Sequence, residues 1–173
     1  MLYKCTIWLF ESINMNNSTT SSISGLDEFD KAILRIVQDN NQFTHAQIGQ
    51  QVGLSVSAIR RRLAVMRDTG IIDRDVSLLK SDAFGVTLIV SVSFAVDTPD
   101  GYLAFDDEMA HLPNVKQSYH VSGATDYVLI VQGPSLSWFE TWAKQHLMSN
   151  EAIQRHDTAV VWSRKKFETS VTI

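Results

Sequence analysis

A chain of 173 residues has room for one domain or for two small ones. Its hydrophobic fraction of 45% is typical of a soluble, packed protein, and no apolar run is long enough to cross a bilayer. A lone cysteine, Cys5, excludes an intramolecular disulfide, and no Cys/His spacing suits zinc. We therefore expect a cytoplasmic protein with no metal, no cofactor and no membrane partner.

The net charge of -4 is unevenly distributed along the chain. Residues 26–75 hold seven basic and seven acidic residues, whereas residues 83–173 hold six basic and ten acidic ones. Four of the seven basic residues in the first range lie between Arg60 and Arg67. Local charge is therefore a better guide to partners than the overall charge.

Residues 1–25 begin with a short apolar run, Cys5 to Phe10, that is too short for a secretory signal. The following residues are almost all Ser, Thr, Asn and Gly, a composition typical of disordered chain. We predict a disordered tail, and Met15 is a second possible start of translation.

Three short helices are predicted next. Asp27 is placed to cap the first helix, and Thr44 with Gln47 forms a capping box for the second. Gly53 stands where a left-handed residue ends that helix, and Ser55 can cap a third. The turn "GLS" between the second and third helices has the length of a helix-turn-helix, whose last helix enters a DNA major groove.

The third helix carries an unusual run of positive charge. With Ile59, Leu63 and Met66 set inward, Arg60 and Arg61 fall on the outward half, while Arg62 lies at the edge and reaches sideways to a phosphate. A solvated face normally mixes acids with bases, but no acid lies between Asp39 and Asp68. The pattern favours DNA contact over a merely solvated face. The candidate DNA-binding residues are Thr44, Ser55, Ser57, Ala58, Arg60, Arg61, Arg62 and Arg67.

After Gly70 the hydrophobic period changes. "IIDRDVSLLKSDAFG" is predicted as a strand and connector with Val76 and Leu78 alternating. "TLIVSVSFAV" is predicted as a strand whose alternate residues share one face: Leu88, Val90, Val92, Phe94 and Val96. A helix that ends at Pro113, strands "VKQSYHV" and "DYVLIVQ", a helix over 136–148 and a last strand "TAVVWSRKKF" follow. This order, β-α-β-β-α-β, is the ferredoxin-like arrangement.

We therefore predict an α+β protein of four segments: a disordered tail (1–25), a three-helix helix-turn-helix DNA-binding domain (26–73), a connecting strand or linker (74–85) and a ferredoxin-like domain (86–173). His120 is interpreted as structural, because no acid or nucleophile stands beside it in the sequence. Trp138 and Trp142, one helical turn apart, are interpreted as core or subunit contacts.

Four motifs in this order resemble the Lrp/AsnC family of transcription regulators: "LDEFDKAIL", "IGQQVGLSVSAIRRRL", "GII" and "VSGATDYVL". The resemblance covers about residues 26–167, and it departs from the family at Val56, where proline is frequent. It implies a homodimer that assembles to an octamer, bound to double-stranded DNA in the nucleoid and regulated by an amino acid or related metabolite. It also implies that residues 86–173 form a RAM-type effector-binding and oligomerisation domain, with an effector loop made of Gly123, Ala124, Thr125 and Asp126.

Two other functions remain open at this point. Sirohaem decarboxylases share the two-domain plan, but they carry an arginine-rich segment where this chain has Arg74 between Asp73 and Asp75. A lone effector-binding oligomerisation module is disfavoured because the helical half is intact. For the effector loop, the alternative is structural: Gly123 would supply a positive φ, and Asp126 would hydrogen-bond its own turn.

Overall fold

The computed structural model describes residues 25–173, so the predicted tail lies outside the described residues except for Gly25. This part of the chain forms two compact units. The first unit consists of residues 25–77 together with 168–173, and the second unit consists of residues 78–167. Within the described ranges no helix is long and apolar enough to cross a membrane.

The first unit contains helices α1 (Glu28–Asp39), α2 (His45–Val52) and α3 (Val56–Asp68). Each predicted cap is confirmed: the side chains of Asp27, Thr44 and Ser55 accept hydrogen bonds from the third backbone N–H of their helices. Gly53 ends α2 with φ 74°, in the left-handed region that favours glycine. One face of each helix meets the others in a core of Ile33, Leu34, Ile48, Ile59, Leu63 and Met66.

The second unit contains β1 (Val86–Phe94), α4 (Pro99–His111), β2 (Val115–His120), β3 (Tyr127–Gly133), α5 (Leu136–Ala143) and β4 (Ile153–Val160). A short 3-10 turn, Ser81–Phe84, precedes β1, and a π-helical turn, Lys144–Met148, extends α5. The four strands are antiparallel in the order β2-β3-β1-β4. This topology confirms the predicted ferredoxin-like fold.

Helices α4 and α5 cover one face of the sheet. Alternate residues of β1 and β3 point to that face and are buried with residues of both helices: Leu88, Val90, Val92, Phe94, Tyr102, Phe105, Met109, Tyr127, Leu129, Val131, Phe139 and Trp142. The period-two pattern predicted Leu88, Val90, Val92 and Phe94 on one face of β1, as observed. Val96, which it also placed on that face, lies beyond the end of β1 and is 68% exposed. Trp142 is a core residue, as predicted, and Trp138 packs against the same core.

Two predicted strands are wrong in whole or in part. The segment containing Val76 and Leu78 forms no strand within residues 25–173, since it has no neighbouring strand to pair with. The last strand, predicted over 158–167, instead runs from Ile153 to Val160. Its start is set by its partner, because Ile153 pairs with Phe94, the last residue of β1. Regular pairing ends at Val160, opposite Leu88, although the Val161 N–H still donates to the Thr87 carbonyl at 2.9 Å.

Candidate functional site

The outward face of α3 is the first candidate site. Arg60 and Arg61 are exposed there, and neither forms an ion pair with any residue that the structure describes. Ser57, one turn before Arg61, is also exposed, and Ala58 is half-buried. A helix end that presents small residues and two unpaired guanidinium groups can approach a DNA groove closely.

Arg62 differs from its two neighbours. Its Nη1 lies 2.8 Å from Asp27 Oδ2 and 2.7 Å from Asp30 Oδ1, so it joins α3 to the start of α1. The hydrogen bonds to Asp30 and Asp27 raise the pKa of Arg62 above its ordinary value. The predicted phosphate contact of Arg62 stays a prediction, and the observed pairs give this residue a structural role.

Arg67 also has a partner. Its Nη2 donates to Asp75 Oδ2 at 3.0 Å, which holds the chain just after α3. Sequence analysis missed these partners because Asp30 is 32 residues from Arg62, and no spacing rule links positions so far apart. Arg67 lies in α3 and Asp75 lies beyond the end of that helix, so helical spacing does not relate the two residues.

The side chains of Thr44 and Ser55, two of the candidate DNA-binding residues, cap the starts of α2 and α3. Thr44 Oγ1 accepts from the Gln47 N–H at 3.2 Å, and Ser55 Oγ accepts from the Ala58 N–H at 3.3 Å. The Ser55 hydroxyl also lies 3.1 Å from that of Ser57. Thr44 and Ser55 remain exposed, so their predicted DNA contacts are compatible with capping but stay predictions.

The second candidate site is the β2–β3 loop, residues 121–126, in the second unit. Gly123 has φ 141°, which favours glycine, although a Cβ there would meet nothing within 4 Å. Gly123 and Ala124 are exposed, while Thr125 and Asp126 are half-buried. The loop therefore exposes its glycine and alanine and holds its last two residues against the sheet.

Thr125 and Asp126 both form hydrogen bonds with the end of β1. The Asp126 carboxylate accepts from the Phe94 N–H at 2.7 Å, and the Thr125 hydroxyl donates to the Val92 carbonyl at 2.6 Å. The Asp126 N–H donates to the same carbonyl at 2.9 Å. One carboxylate oxygen of Asp126 is thus used in anchoring the loop, a contact with another strand that residue types alone did not predict.

Aromatic rings lie directly beside this loop. His120 stacks on Tyr127 with centroids 4.8 Å apart and lies 4.7 Å from the Tyr102 ring, in line with its structural interpretation. Burial, reinforced by the nearby Asp106 carboxylate, raises the pKa of the Tyr127 hydroxyl well above its ordinary value. In the part of the chain that is described, no cluster of His, Cys, Asp and Glu side chains could hold a metal ion.

Known proteins match both units. A family model described as a winged helix-turn-helix DNA-binding domain matches residues 26–73, and one described as an Lrp/AsnC ligand-binding domain matches residues 87–171. An HTH-type transcriptional regulator, y4tD, of Sinorhizobium fredii is 35% identical over 86% of this chain and 89% of its own. The transcriptional regulator AzlB of Bacillus subtilis is 29% identical over 86% of this chain and 96% of its own.

Two solved structures share the fold at similar identity. An AsnC family transcriptional regulator from Agrobacterium tumefaciens is 29% identical, with a TM-score of 0.78 over 85% of this chain and 97% of its own. A transcriptional regulator from Neisseria meningitidis, solved as a complex with L-Met, is 27% identical. Its TM-score is also 0.78, over 85% of this chain and 96% of its own.

Proposed function

This chain belongs to the Lrp/AsnC family of transcriptional regulators, and from that premise we propose that α3 reads an operator while the second unit senses an amino acid. A DNA-binding helix-turn-helix and a ligand-binding domain make it a regulator and not an enzyme, so the sirohaem decarboxylase alternative is set aside.

The observation that carries the DNA proposal is the exposure of Arg60 and Arg61, unpaired among the described residues, on a helix that is capped and packed. Arginine recognises guanine edges with two parallel hydrogen bonds and also neutralises phosphates. Arg62 and Arg67, held by acids, contribute to binding mainly by fixing the helix that carries the other two.

The DNA test uses duplexes that the wild-type protein selects from a random pool. Arg60→Ala and Arg61→Ala should each weaken binding of the selected duplex by about 1–3 kcal/mol, measured by fluorescence anisotropy at fixed salt. Arg155→Ala, an exposed arginine of the second unit, serves as the charge-matched control and should bind as wild type does. Unchanged affinity in a folded Arg60→Ala/Arg61→Ala double variant would contradict the proposed face.

The effector proposal is supported by the β2–β3 loop and by the L-Met complex of the Neisseria regulator. An exposed glycine loop offers backbone N–H groups to a carboxylate, and the Asp126 oxygen that Phe94 does not use can face an ammonium group. We infer an α-amino acid as the ligand class. Thermal-shift screening of the twenty amino acids, with L-Met first, tests this, because a ligand of the native state raises the melting temperature.

We also infer a homo-oligomer, as the family resemblance implies. Four large apolar side chains between β1 and α3 are more than half exposed in the single chain: Val76, Leu78, Leu79 and Phe84. They lie on or next to the segment that finds no strand partner in its own chain, so pairing with a second copy would cover them. Leu78→Asp/Leu79→Asp should lower the mass measured by light scattering, whereas Leu103→Asp, at an exposed position of α4, should leave it unchanged.

A further inference from the structure

A short basic segment follows the last strand. We define the basic segment as residues 162–167, with the sequence WSRKKF. It lies beyond β4, which ends at Val160, and all six residues are exposed, Trp162 to 97%. Arg164, Lys165 and Lys166 are therefore consecutive positive charges on irregular chain and not part of a strand face.

The two lysines of this segment lack the acidic partners that other basic side chains of the second unit have. Lys144 pairs with Glu140 at 2.7 Å, and Arg155 pairs with Asp157 at 2.8 Å. By contrast, no acid occurs between Asp157 and Glu168, and Lys165 and Lys166 form no ion pair with the residues that the structure describes. The positive charges of Lys165 and Lys166 can therefore pair with a partner from outside the chain.

The chain just beyond the basic segment is anchored to the first unit. The Gln38 side chain on α1 exchanges two hydrogen bonds with the Val171 backbone, at 3.0 and 3.1 Å. Arg35 Nη2 donates to the Ile173 carbonyl at 2.8 Å. Lys166 is five residues from Val171, so the two are separated by at most about 17 Å of extended chain.

We propose that the basic segment is a second DNA-binding element, which contacts phosphates of the duplex and adds affinity without sequence preference. The proposal rests on the proposed operator binding by α3. Three adjacent cations suit a polyanion with regularly spaced charges, and binding releases counterions from the DNA. A duplex is the favoured partner, because the residues that follow the basic segment belong to the DNA-binding unit and tether the segment to it by a short stretch of chain.

The first test removes the two lysines. Lys165→Ala/Lys166→Ala should bind selected and random duplexes more weakly by the same factor. The slope of log affinity against log salt concentration should fall by about one to two. Lys116→Ala/Lys144→Ala removes the same charge from exposed positions of the same unit and should keep the wild-type slope. Equal slopes for wild type and the first double variant, or the same loss in both doubles, would overturn the proposal.

The second test locates the contact directly. Acetylation of lysines is followed by mass spectrometry, with and without duplex. Lys165 and Lys166 should be protected by DNA, whereas Lys116 and Lys144 should react equally in both samples. Protection of all four lysines, or of none, would contradict the assignment.

The outcomes separate this proposal from the operator proposal. If Arg60→Ala/Arg61→Ala weakens binding but the lysine variants do not, α3 reads DNA and the basic segment does not contribute. If wild type selects no duplex at all, the operator proposal itself fails. A change in particle mass on Lys165→Ala/Lys166→Ala, at unchanged DNA affinity, would assign the segment to subunit contacts and overturn its DNA role.

Discussion

At the scale of single residues, Asp126 makes an anchoring contact that its residue type did not predict. Sequence patterns place it on a β-β turn, and the structure uses one of its oxygens to accept the Phe94 N–H at 2.7 Å. The helix caps were predictable because Asp27, Thr44 and Ser55 each act three residues along the chain. The hydrogen bond of Asp126 with the Phe94 N–H could not be predicted in this way, because Phe94 lies 32 residues earlier, on β1.

Two substitutions of Asp126 distinguish its observed anchoring contact from the proposed effector binding. Asp126→Asn keeps an oxygen acceptor for the Phe94 N–H but removes the charge, so the melting temperature should stay near that of wild type. Affinity for the amino acid should fall about 10- to 100-fold, because a hydrogen bond to a charged group is lost. Binding of the effector is measured by calorimetry.

Asp126→Ala is the matched control, since it removes the charge and the acceptor together. It should lose effector response and about 1–3 kcal/mol of stability, because the Phe94 N–H is left without a partner. DNA binding should survive in both variants. Wild-type effector affinity in Asp126→Asn would make the residue a loop anchor only.

At the scale of elements, contacts between residues far apart in the sequence determine features that local sequence patterns cannot predict. The helices of the first unit were predictable from caps and the stripe of Ile59, Leu63 and Met66, all of them local signals. The bounds of β4 were not, because they depend on pairing with β1, which lies far from β4 in the sequence. The same limit applies to Arg62, whose direction depends on the position of α1.

The contact between α1 and α3 through Arg62 should stabilise the first unit. Arg62→Ala should lower its free energy of unfolding by about 1–2 kcal/mol, since the half-buried Asp30 loses its partner while the exposed Asp27 contributes little. Arg60→Ala, on the same helix but unpaired among the described residues, should change it by less than about 0.5 kcal/mol. Urea unfolding at pH 7 measures both variants.

Acid should weaken this contact. The Asp30 N–H first, and then Arg62, lower the pKa of Asp27 from its ordinary value of 3.8. A carboxyl with a lowered pKa stabilises the fold above that ordinary value, and the contribution is lost as pH falls through the folded pKa. Wild-type stability should thus decline below about pH 4. Arg62→Ala should show a smaller decline; an identical decline would exclude Arg62 as a cause.

At the scale of the whole molecule, the fold class and the order of the units were predictable, but the assignment of every residue to a unit was not. Residues 168–173 were assigned to the second domain by sequence, whereas they pack with the first unit. Ile173 contacts the core of α1 to α3, and Gln38 and Arg35 bond to the backbone nearby. Sequence spacing rules relate residues a few positions apart, so they could not connect Arg35 with Ile173, which lies 138 residues later.

The contribution of residues 168–173 to the stability of the first unit should be measurable. Ile173→Ala should cost the first unit about 1–2 kcal/mol, less than a fully buried isoleucine, because Ile173 is only half-buried. Amide hydrogen exchange in α1 should accelerate accordingly. Val171→Ala is the control: its side chain is 66% exposed and its backbone bonds to Gln38 are retained, so exchange should match wild type.

The pairing of Arg35 with Ile173 joins positions 138 residues apart. During synthesis on the ribosome, α1, α2 and α3 emerge first and can form their local contacts early. Residues 168–173 leave the exit tunnel only after the entire second unit has been made. The DNA-binding unit of a nascent chain therefore lacks part of its packing until translation of those residues is complete, and a message truncated before them would yield a regulator with a loosened α1.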